Sequence, residues 1–343
     1  MRIRIRPRLP VLALLLLAPS IPELLTGSTP ISSLATNPPG FVLSFGIDVA
    51  LYGSGALLIR EFAVAYRKGW ASILLLGAAY GIGEEGFGAH TFFATGGPPV
   101  FLLGTYGHAF GVNWLWALGL TTFHATYSIA LPILLSRLWF PAASNVRWFD
   151  RGSVGLLTAV YLGVVGLFGV LVGHGPTPVA FAFFVVVAAV LIALAAWLPA
   201  DLFRLRHERS RIGRVGLVLA GSLSFAAWVS MLVFATSPAL PAVAAAAVLV
   251  FVNLGTLALL LLRLGTDGLE RSEYRFAVGM MAALFAWDIL VELTVPGILG
   301  VAAVFAYLLY RLGRSIARRT ASADGPSAVR VPAEVARDGP FAR

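Results

Sequence analysis

The chain has 343 residues, of which 59% are hydrophobic and only 12% are charged, and it carries a formal net charge of +9. Soluble domains average about 25% charged residues, so this composition excludes an ordinary water-soluble globular protein and indicates a helical membrane protein. The absence of cysteine excludes disulfides, iron–sulfur clusters and cysteine-ligated zinc.

Apolar runs of membrane-crossing length recur along the chain, each close to the roughly 20 residues that a helix needs to span a bilayer. We predict ten spans, at residues 9–25, 41–59, 70–89, 112–136, 153–173, 178–199, 215–236, 239–262, 277–294 and 296–312. The predicted fold is an all-α, polytopic transmembrane helix bundle with a single domain over residues 1–312. The polar residues that could form a functional site concentrate in residues 1–140, and residues 150–312 are predicted to be scaffold. Residues 313–343 are predicted to be a disordered cytoplasmic tail.

Basic residues alternate between successive connections. They precede the first span and follow the second, fourth, sixth, eighth and tenth, whereas the other connections contain no lysine or arginine. The positive-inside rule then places both termini in the cytoplasm. The first span also fits a cleaved signal peptide, with an arginine-rich start and small residues at Ala18 and Ser20, which would leave nine spans in unchanged orientation.

Heavy use of Ala, Gly, Val and Arg is typical of a GC-rich bacterial genome, so we predict a location in a bacterial cytoplasmic membrane. The expected partners are membrane lipids, with anionic headgroups at the arginine-rich cytoplasmic loops. Because topology explains the positive charge, nucleic acid is not an expected partner. The sequence indicates no particular protein partner.

Carboxylates within the predicted spans are the unusual feature of this sequence. Six acids lie inside or at the ends of spans: Glu23, Asp48, Glu84, Glu85, Asp288 and Glu292. From the rise of a helix, Asp48, Glu84 and Asp288 fall at one level, roughly 8 to 10 Å from the outer surface. Membrane-buried acids mark ion, proton or substrate sites, so we predict that these three and Glu292 contribute to one site.

The adjacent pair Glu84 and Glu85 is the strongest catalytic candidate. Neighbouring residues lie about 100° apart around an α-helix, so only one of the two is expected to face the site. His124, in the fourth span, could assist a glutamate that activates water, or it could be a hydrogen-bonded structural residue.

The apolar segment 86–111 is predicted to cover the site as a re-entrant or interfacial lid. His90 and His108 bracket this segment, and with the glutamates they could bind a divalent metal such as zinc or manganese. Asn113 could bind substrate or an ion, or it could cap the fourth span.

Other patterns predict structure rather than chemistry. Gly77 and Gly81 have the small-xxx-small spacing of closely packed membrane helices. Glu61 beside Arg60 is expected to form a surface ion pair of little energetic consequence. Trp114 and Trp116 are expected in the interfacial aromatic belt.

Five segments together resemble an uncharacterised family of bacterial multi-pass membrane proteins. They are PELLTGSTP (Pro22–Pro30), YGSGALLIRE (Tyr52–Glu61), LLGAAYGIGEEG (Leu75–Gly86), GVNWLWAL (Gly111–Leu118) and FHATYSIALP (Phe123–Pro132). The resemblance covers mainly the first 140 residues. It implies a multi-pass topology and no particular activity.

Glu84-Glu85 and His124 also resemble parts of the CPBP family of intramembrane proteases, which includes the CAAX-processing enzymes. That family carries Glu-Glu followed by Arg, then Phe-x-x-x-His, then His-x-x-x-Asn or Asp, on membrane helices. Here Ala89 occupies the arginine position, Ser128 occupies the Asn or Asp position, and a leucine lies four residues before His124. The resemblance implies an intramembrane glutamate/histidine protease.

Three functions therefore stay open at this point. The first is an intramembrane hydrolase or protease that uses the glutamate pair and His124. The second is a proton- or cation-coupled transporter whose buried acids bind the coupling ion. The third is a structural membrane protein whose acids only hold helices together.

Overall fold

The computed structural model describes residues 8–95, 105–173, 175–200, 214–236, 240–263 and 269–323. The long helices in these ranges are α1 (Arg8–Pro19), α2 (Pro38–Ala65), α3 (Trp70–Gly81), α4 (Trp114–Trp139), α5 (Arg151–Leu171), α6 (Pro178–Trp197), α7 (Arg214–Thr236), α8 (Ala242–Arg263), α9 (Leu269–Val291) and α10 (Ile298–Ala323). The predicted all-α class is therefore confirmed for the described part of the chain.

Within the described residues, four π-helical segments extend or interrupt these helices. α1 continues into Ser20–Leu24, and α3 continues into Ile82–Gly88. α2 contains Val49–Gly53, and α4 contains His124–Ala130. A π-helix bonds i to i+5, so each segment has a wider turn than the α-helix around it.

Within the described residues, six helices are long and apolar enough to cross a membrane. They are α2, α4, α5, α6, α9 without its first residue, and α10 as far as Ser322. Two shorter apolar stretches, Val215–Phe225 and Ala242–Gly255, lie in α7 and α8. The structure thus shows a membrane-like helical protein.

Side-chain caps explain where several helices begin. Asn113 accepts a hydrogen bond from the Trp116 amide at 3.1 Å, which confirms its predicted capping of α4. Thr177 caps α6 through the Ala180 amide at 3.2 Å. Asp150 caps α5 by accepting a hydrogen bond from the Ser153 amide at 2.8 Å. Hydrogen bonding to Ser153 lowers the pKa of the Asp150 carboxyl.

Glycine allows α3 and α4 to approach closely, as the small-xxx-small spacing predicts. A Cβ atom on Gly77 would lie 2.8 Å from the Ala125 Cα, and one on Gly81 would lie 2.9 Å from the His124 Cβ. No real side chain fits in these spaces. The lack of a side chain at these two glycines therefore allows the α3 backbone to contact the helix that carries His124.

The Arg60–Glu61 pair is buried, which overturns the prediction of a surface ion pair. Arg60 is 4% exposed and Glu61 is 2% exposed. The Arg60 guanidinium binds Glu61 at 3.0 Å and donates to the carbonyls of Ala143, Ser144 and Val146 at 2.7–2.9 Å. The loop after α4 folds over the end of α2, and this tertiary contact removes both side chains from solvent.

The predicted boundary of the C-terminal tail is also wrong. α10 remains helical to Ala323, past the expected end of the last span at residue 312. Leu312 and Ile316 are buried against the bundle, and this packing explains why the helix continues. Residues 324–343 lie outside the described part of the chain.

The described parts of the predicted lid, residues 86–111, pack on α4. A 3-10 turn at Thr91–Phe93 is buried, with Phe92 fully enclosed. Strands β1 (His108–Ala109) and β2 (Val112–Asn113) form a short antiparallel hairpin. The two residues between these strands both have positive φ, as a tight hairpin turn requires.

Candidate functional site

Each of these four π-helical segments carries at least one polar side chain of a single cluster. Glu23 lies in the first of them, Tyr52 in the second, Glu84 with Glu85 in the third, and His124 in the fourth. π-Helical turns are uncommon and are frequently found at functional sites. The cluster therefore coincides with the places where the regular helices of the N-terminal half are distorted.

At the centre of the cluster, His124 lies between the two glutamates. Its Nε2 atom is 3.0 Å from Glu85 Oε1, and its Nδ1 atom is 3.4 Å from Glu84 Oε2. Within the described residues, Glu84, Glu85 and His124 form a group in which one ligand atom from each lies within 4.8 Å of the others. Glu84 and His124 are buried, and Glu85 is partly exposed.

Both glutamates face this centre, so the prediction that only one of them would do so is wrong. The prediction assumed the angular spacing of an α-helix. Residues 82–88 are π-helical, and the wider turn brings both carboxylates to the same neighbour.

The chain after Gly88 turns into the buried Thr91–Phe93 segment, so the π-helical end of the third helix lies inside the protein. This position brings both glutamates to His124, near the middle of α4.

Hydroxyl groups hold the centre in place. Ser128 Oγ lies 3.0 Å from His124 Nδ1, one helical turn further along α4. The Thr91 hydroxyl donates to Glu85 Oε2 and accepts a hydrogen bond from Trp116 Nε1 at 3.1 Å. Trp116 is therefore buried next to the site, where it donates to Thr91, and its predicted place in the interfacial belt is wrong.

The cluster extends from the centre towards α1 through Tyr52. The Tyr52 ring stacks against His124 with centroids 6.0 Å apart. Its hydroxyl donates to Glu23 Oε1 at 2.6 Å. Thr29 continues the cluster, because its hydroxyl lies 3.0 Å from Glu23 Oε2 and 3.1 Å from Asp48 Oδ2.

This arrangement constrains where protons can be. A hydroxyl group has one hydrogen, so the Thr29 hydroxyl can donate to only one of its two carboxyl neighbours at a time. The other carboxyl can form a hydrogen bond with Thr29 only if it is protonated and donates to the hydroxyl oxygen. Both contacts are therefore hydrogen bonds when one of the two carboxyls, Glu23 or Asp48, carries a proton.

The net charge of the cluster also indicates that some of its acids are protonated or bound to a cation. Glu23 and Asp48 are joined through Thr29, and Glu84 and Glu85 both contact the His124 imidazole. The ion pairs of the described residues bring no lysine or arginine to these four acids. Buried carboxylates without a counter-charge are strongly unfavourable. Bound protons or a cation must therefore balance them.

Glu84, Glu85 and His124 offer a donor set that suits a divalent cation. Two carboxylates and one imidazole resemble the three-ligand sites that leave a coordination position open for water. The Ser128 contact at His124 Nδ1 would fix the ring while Nε2 faces the ion. These three residues are the ones in the described chain that could hold a metal together.

The structure places the other predicted site residues elsewhere. Asp288 is fully buried on α9, and neither of its carboxylate oxygens accepts a hydrogen bond from a described residue. Glu292 accepts from the Gly297 and Leu299 amides, both at 2.9 Å, and caps the start of α10. These backbone hydrogen bonds lower the pKa of the Glu292 carboxyl.

His90, His108 and Asn113 are also not members of the Glu–Glu–His group. His90 precedes the 3-10 turn in a left-handed conformation with φ of 55°. His108 pairs with Asn113 across the hairpin. Metal binding by the two histidines and ligand binding by Asn113 thus gain no support from the described residues.

Sequence reasoning missed several members of the cluster. Glu23 was recognised as a span acid but was not placed in the site, and Ser128 was noted only at the Asn or Asp position of the CPBP motif. Thr29, Tyr52 and Thr91 were not proposed. Single hydroxyl residues in apolar helices are common and give no distinctive pattern. The nearest signal was the short polar run after Glu23, in ELLTGST, which is too polar for the middle of a span.

The comparisons with known proteins returned no match among protein-family models, curated proteins or solved structures. The geometry of the cluster is therefore the main basis for the proposed function.

Proposed function

We propose that this chain is an intramembrane hydrolase of a bacterial cytoplasmic membrane, with ten crossings and both termini in the cytoplasm. The observation that carries the proposal is the convergence of Glu84, Glu85 and His124 inside an apolar helical bundle. The alternation of arginine-rich and arginine-free connections supports the topology. The partial resemblance to the CPBP intramembrane proteases points to the same chemistry.

Each residue of the centre has a distinct role in this proposal. Glu84 Oε2 accepts no hydrogen bond from a described residue, so Glu84 is the base that takes a proton from water. The water oxygen attacks the carbonyl carbon of a peptide or ester, and protonated His124 gives its proton to the leaving group. The proton held by Glu84 then returns to His124. Glu85 orients the imidazole through Nε2.

In a metal-bound form of the site, a divalent cation held by the same three residues would supply Lewis acidity towards the water and the carbonyl oxygen, in place of the proton donated by His124. Elemental analysis of the purified protein tests this part directly. We expect close to one equivalent of metal per wild-type chain and a substoichiometric amount in His124→Ala.

Hydrolysis is tested with the full chain in nanodiscs, using a fluorogenic transmembrane peptide and a fluorogenic lipid ester. Glu84→Gln should lower turnover by about 100-fold or more, because general base catalysis typically contributes that much. Asp288→Asn is the matched control, since it also replaces one buried membrane acid but lies outside the cluster. Equal activity of Glu84→Gln and wild type would reject the proposal.

A second candidate function is proton- or cation-coupled translocation. The observation that favours it is the hydrogen-bonded series Asp48, Thr29, Glu23 and Tyr52, which alternates carboxyl and hydroxyl groups and starts at the half-buried Asp48. It ends at Tyr52, whose ring stacks against His124. In proteoliposomes with an internal pH dye, it predicts a flux that Glu23→Gln abolishes. Flux without hydrolysis would favour this function over the first.

A further inference from the structure

The exposed face of α10 carries a stripe of tyrosine and arginine where the helix leaves its apolar part. The buried face is formed by Ile298, Ala302, Phe305, Leu309, Leu312 and Ile316, which pack against the bundle. Tyr307, Arg311, Arg314 and Arg318 recur at intervals of four, three and four residues on the opposite side, and all four are exposed. Side chains at this spacing share one helix face.

The tyrosines hold the guanidinium groups back towards the apolar part of the helix. Arg311 Nη1 donates to the Tyr307 hydroxyl at 2.8 Å, and Arg314 Nη1 donates to the Tyr310 hydroxyl at 3.4 Å. Tyr307 and Tyr310 are each a little over half exposed. Tyrosine favours the headgroup level of a membrane, so both guanidinium groups are held where lipid phosphates lie.

These arginines differ from the others near the same end of the bundle. Arg319 points inwards, where it binds the Leu138 carbonyl at 2.9 Å and Glu270 at 3.3 Å. Within the described residues, Arg311, Arg314 and Arg318 take part in no ion pair. α10 itself contains no acidic residue.

We propose that Tyr307, Tyr310, Arg311, Arg314 and Arg318 form a binding site for the headgroup of an anionic phospholipid. A guanidinium has five N–H donors, so Arg311 and Arg314 keep four each after binding their tyrosines. The planar fork of arginine matches two phosphate oxygens at once. The adjoining exposed side chains of the apolar part, such as Val304 and Leu308, offer a surface for the acyl chains.

The test uses the full chain, delipidated in mild detergent and titrated with phosphatidylglycerol, with bound lipid counted by native mass spectrometry. We expect wild type to bind phosphatidylglycerol more tightly than phosphatidylcholine. Arg314→Gln should weaken phosphatidylglycerol binding by about fivefold, the usual contribution of one basic residue near an anionic surface. Arg151→Gln is the matched control, because Arg151 is also exposed and lies at the start of α5.

Further arms separate the possible sources of the effect. Arg314→Lys should recover only part of the affinity if the fork matters, and inorganic phosphate should compete weakly if the ligand is a whole lipid. Equal loss in Arg314→Gln and Arg151→Gln, or equal binding of the two lipids, would overturn the proposal. Because the Arg314 side chain is exposed, unchanged helical circular dichroism of the variant is expected and confirms that folding is intact.

Discussion

Replacing Arg60 by methionine should destabilise the protein by about 3 kcal/mol. Removing one partner of a buried ion pair typically costs about 3–5 kcal/mol, because the other charge is left buried. Here Glu61 keeps Arg147 at 3.1 Å and the Trp148 amide at 3.1 Å, which favours the lower end of that range. The substitution also removes the guanidinium stacked 3.6 Å from the Trp148 ring centroid and the donors to the 143–146 loop.

The measurement is the free energy of unfolding in mixed micelles, with increasing denaturing detergent and helical circular dichroism as the signal. Arg151→Met serves as the control, since it makes the same arginine-to-methionine change at an exposed position. Glu61→Gln and the double variant complete a double-mutant cycle, in which a favourable coupling between Arg60 and Glu61 is expected. A loss below about 1 kcal/mol, the range of a surface pair, would refute the buried arrangement.

Three further predictions concern the site and the last helix. Ser128→Ala should lower hydrolysis by roughly tenfold while helical content is unchanged, because His124 loses the hydroxyl that fixes its ring; a variant as active as wild type would contradict this role. Gly77→Val should destabilise the fold in the same unfolding assay, because its Cβ meets the α4 backbone at 2.8 Å, whereas valine at Gly155, where nothing lies within 4 Å, should be tolerated. Glu292 has a lowered pKa in the folded protein, so its stabilisation is present above the ordinary value of 4.5 and is lost as the pH falls through the lower folded value. Glu292→Gln should therefore flatten the acid end of a plot of unfolding temperature against pH, and an unchanged acid slope would contradict the capping role.

The helices of this protein could be predicted from the sequence because their signals are local. Long apolar runs require helices in a membrane, and residues such as Asn113 and Asp150 mark where two of them begin. The predicted boundaries fail where tertiary packing decides instead. α10 continues to Ala323 because its apolar face still has the bundle to pack against.

The centre of the site could be predicted only in part. Glu84, Glu85 and His124 are conspicuous because charged and polar residues are rare in these helices. Their mutual orientation depends on π-helical turns, and an apolar sequence carries no periodic signal that separates a π-turn from an α-turn. The depth of Asp288 matched that of Glu84 by counting residues, but depth alone does not determine the direction in which a side chain points.

The distribution of the π-helical turns argues against a purely structural role for these acids. A π-turn interrupts the regular hydrogen bonding of a helix, so it persists only where something offsets its cost. Carboxylates that served only to join helices could do so from ordinary α-helical positions, as Glu273 does on α9 with Arg137 at 2.9 Å. Instead, each of the four π-helical segments described carries a member of the same cluster, and no guanidinium or ammonium group neutralises it. Distorted helices that gather uncompensated acids around one histidine are better explained by a site that handles protons, water or a cation than by packing. Replacing His124 by glutamine would separate the two explanations. A structural cluster should lose stability when its central contacts are removed, whereas a chemical one should keep its fold and lose its turnover.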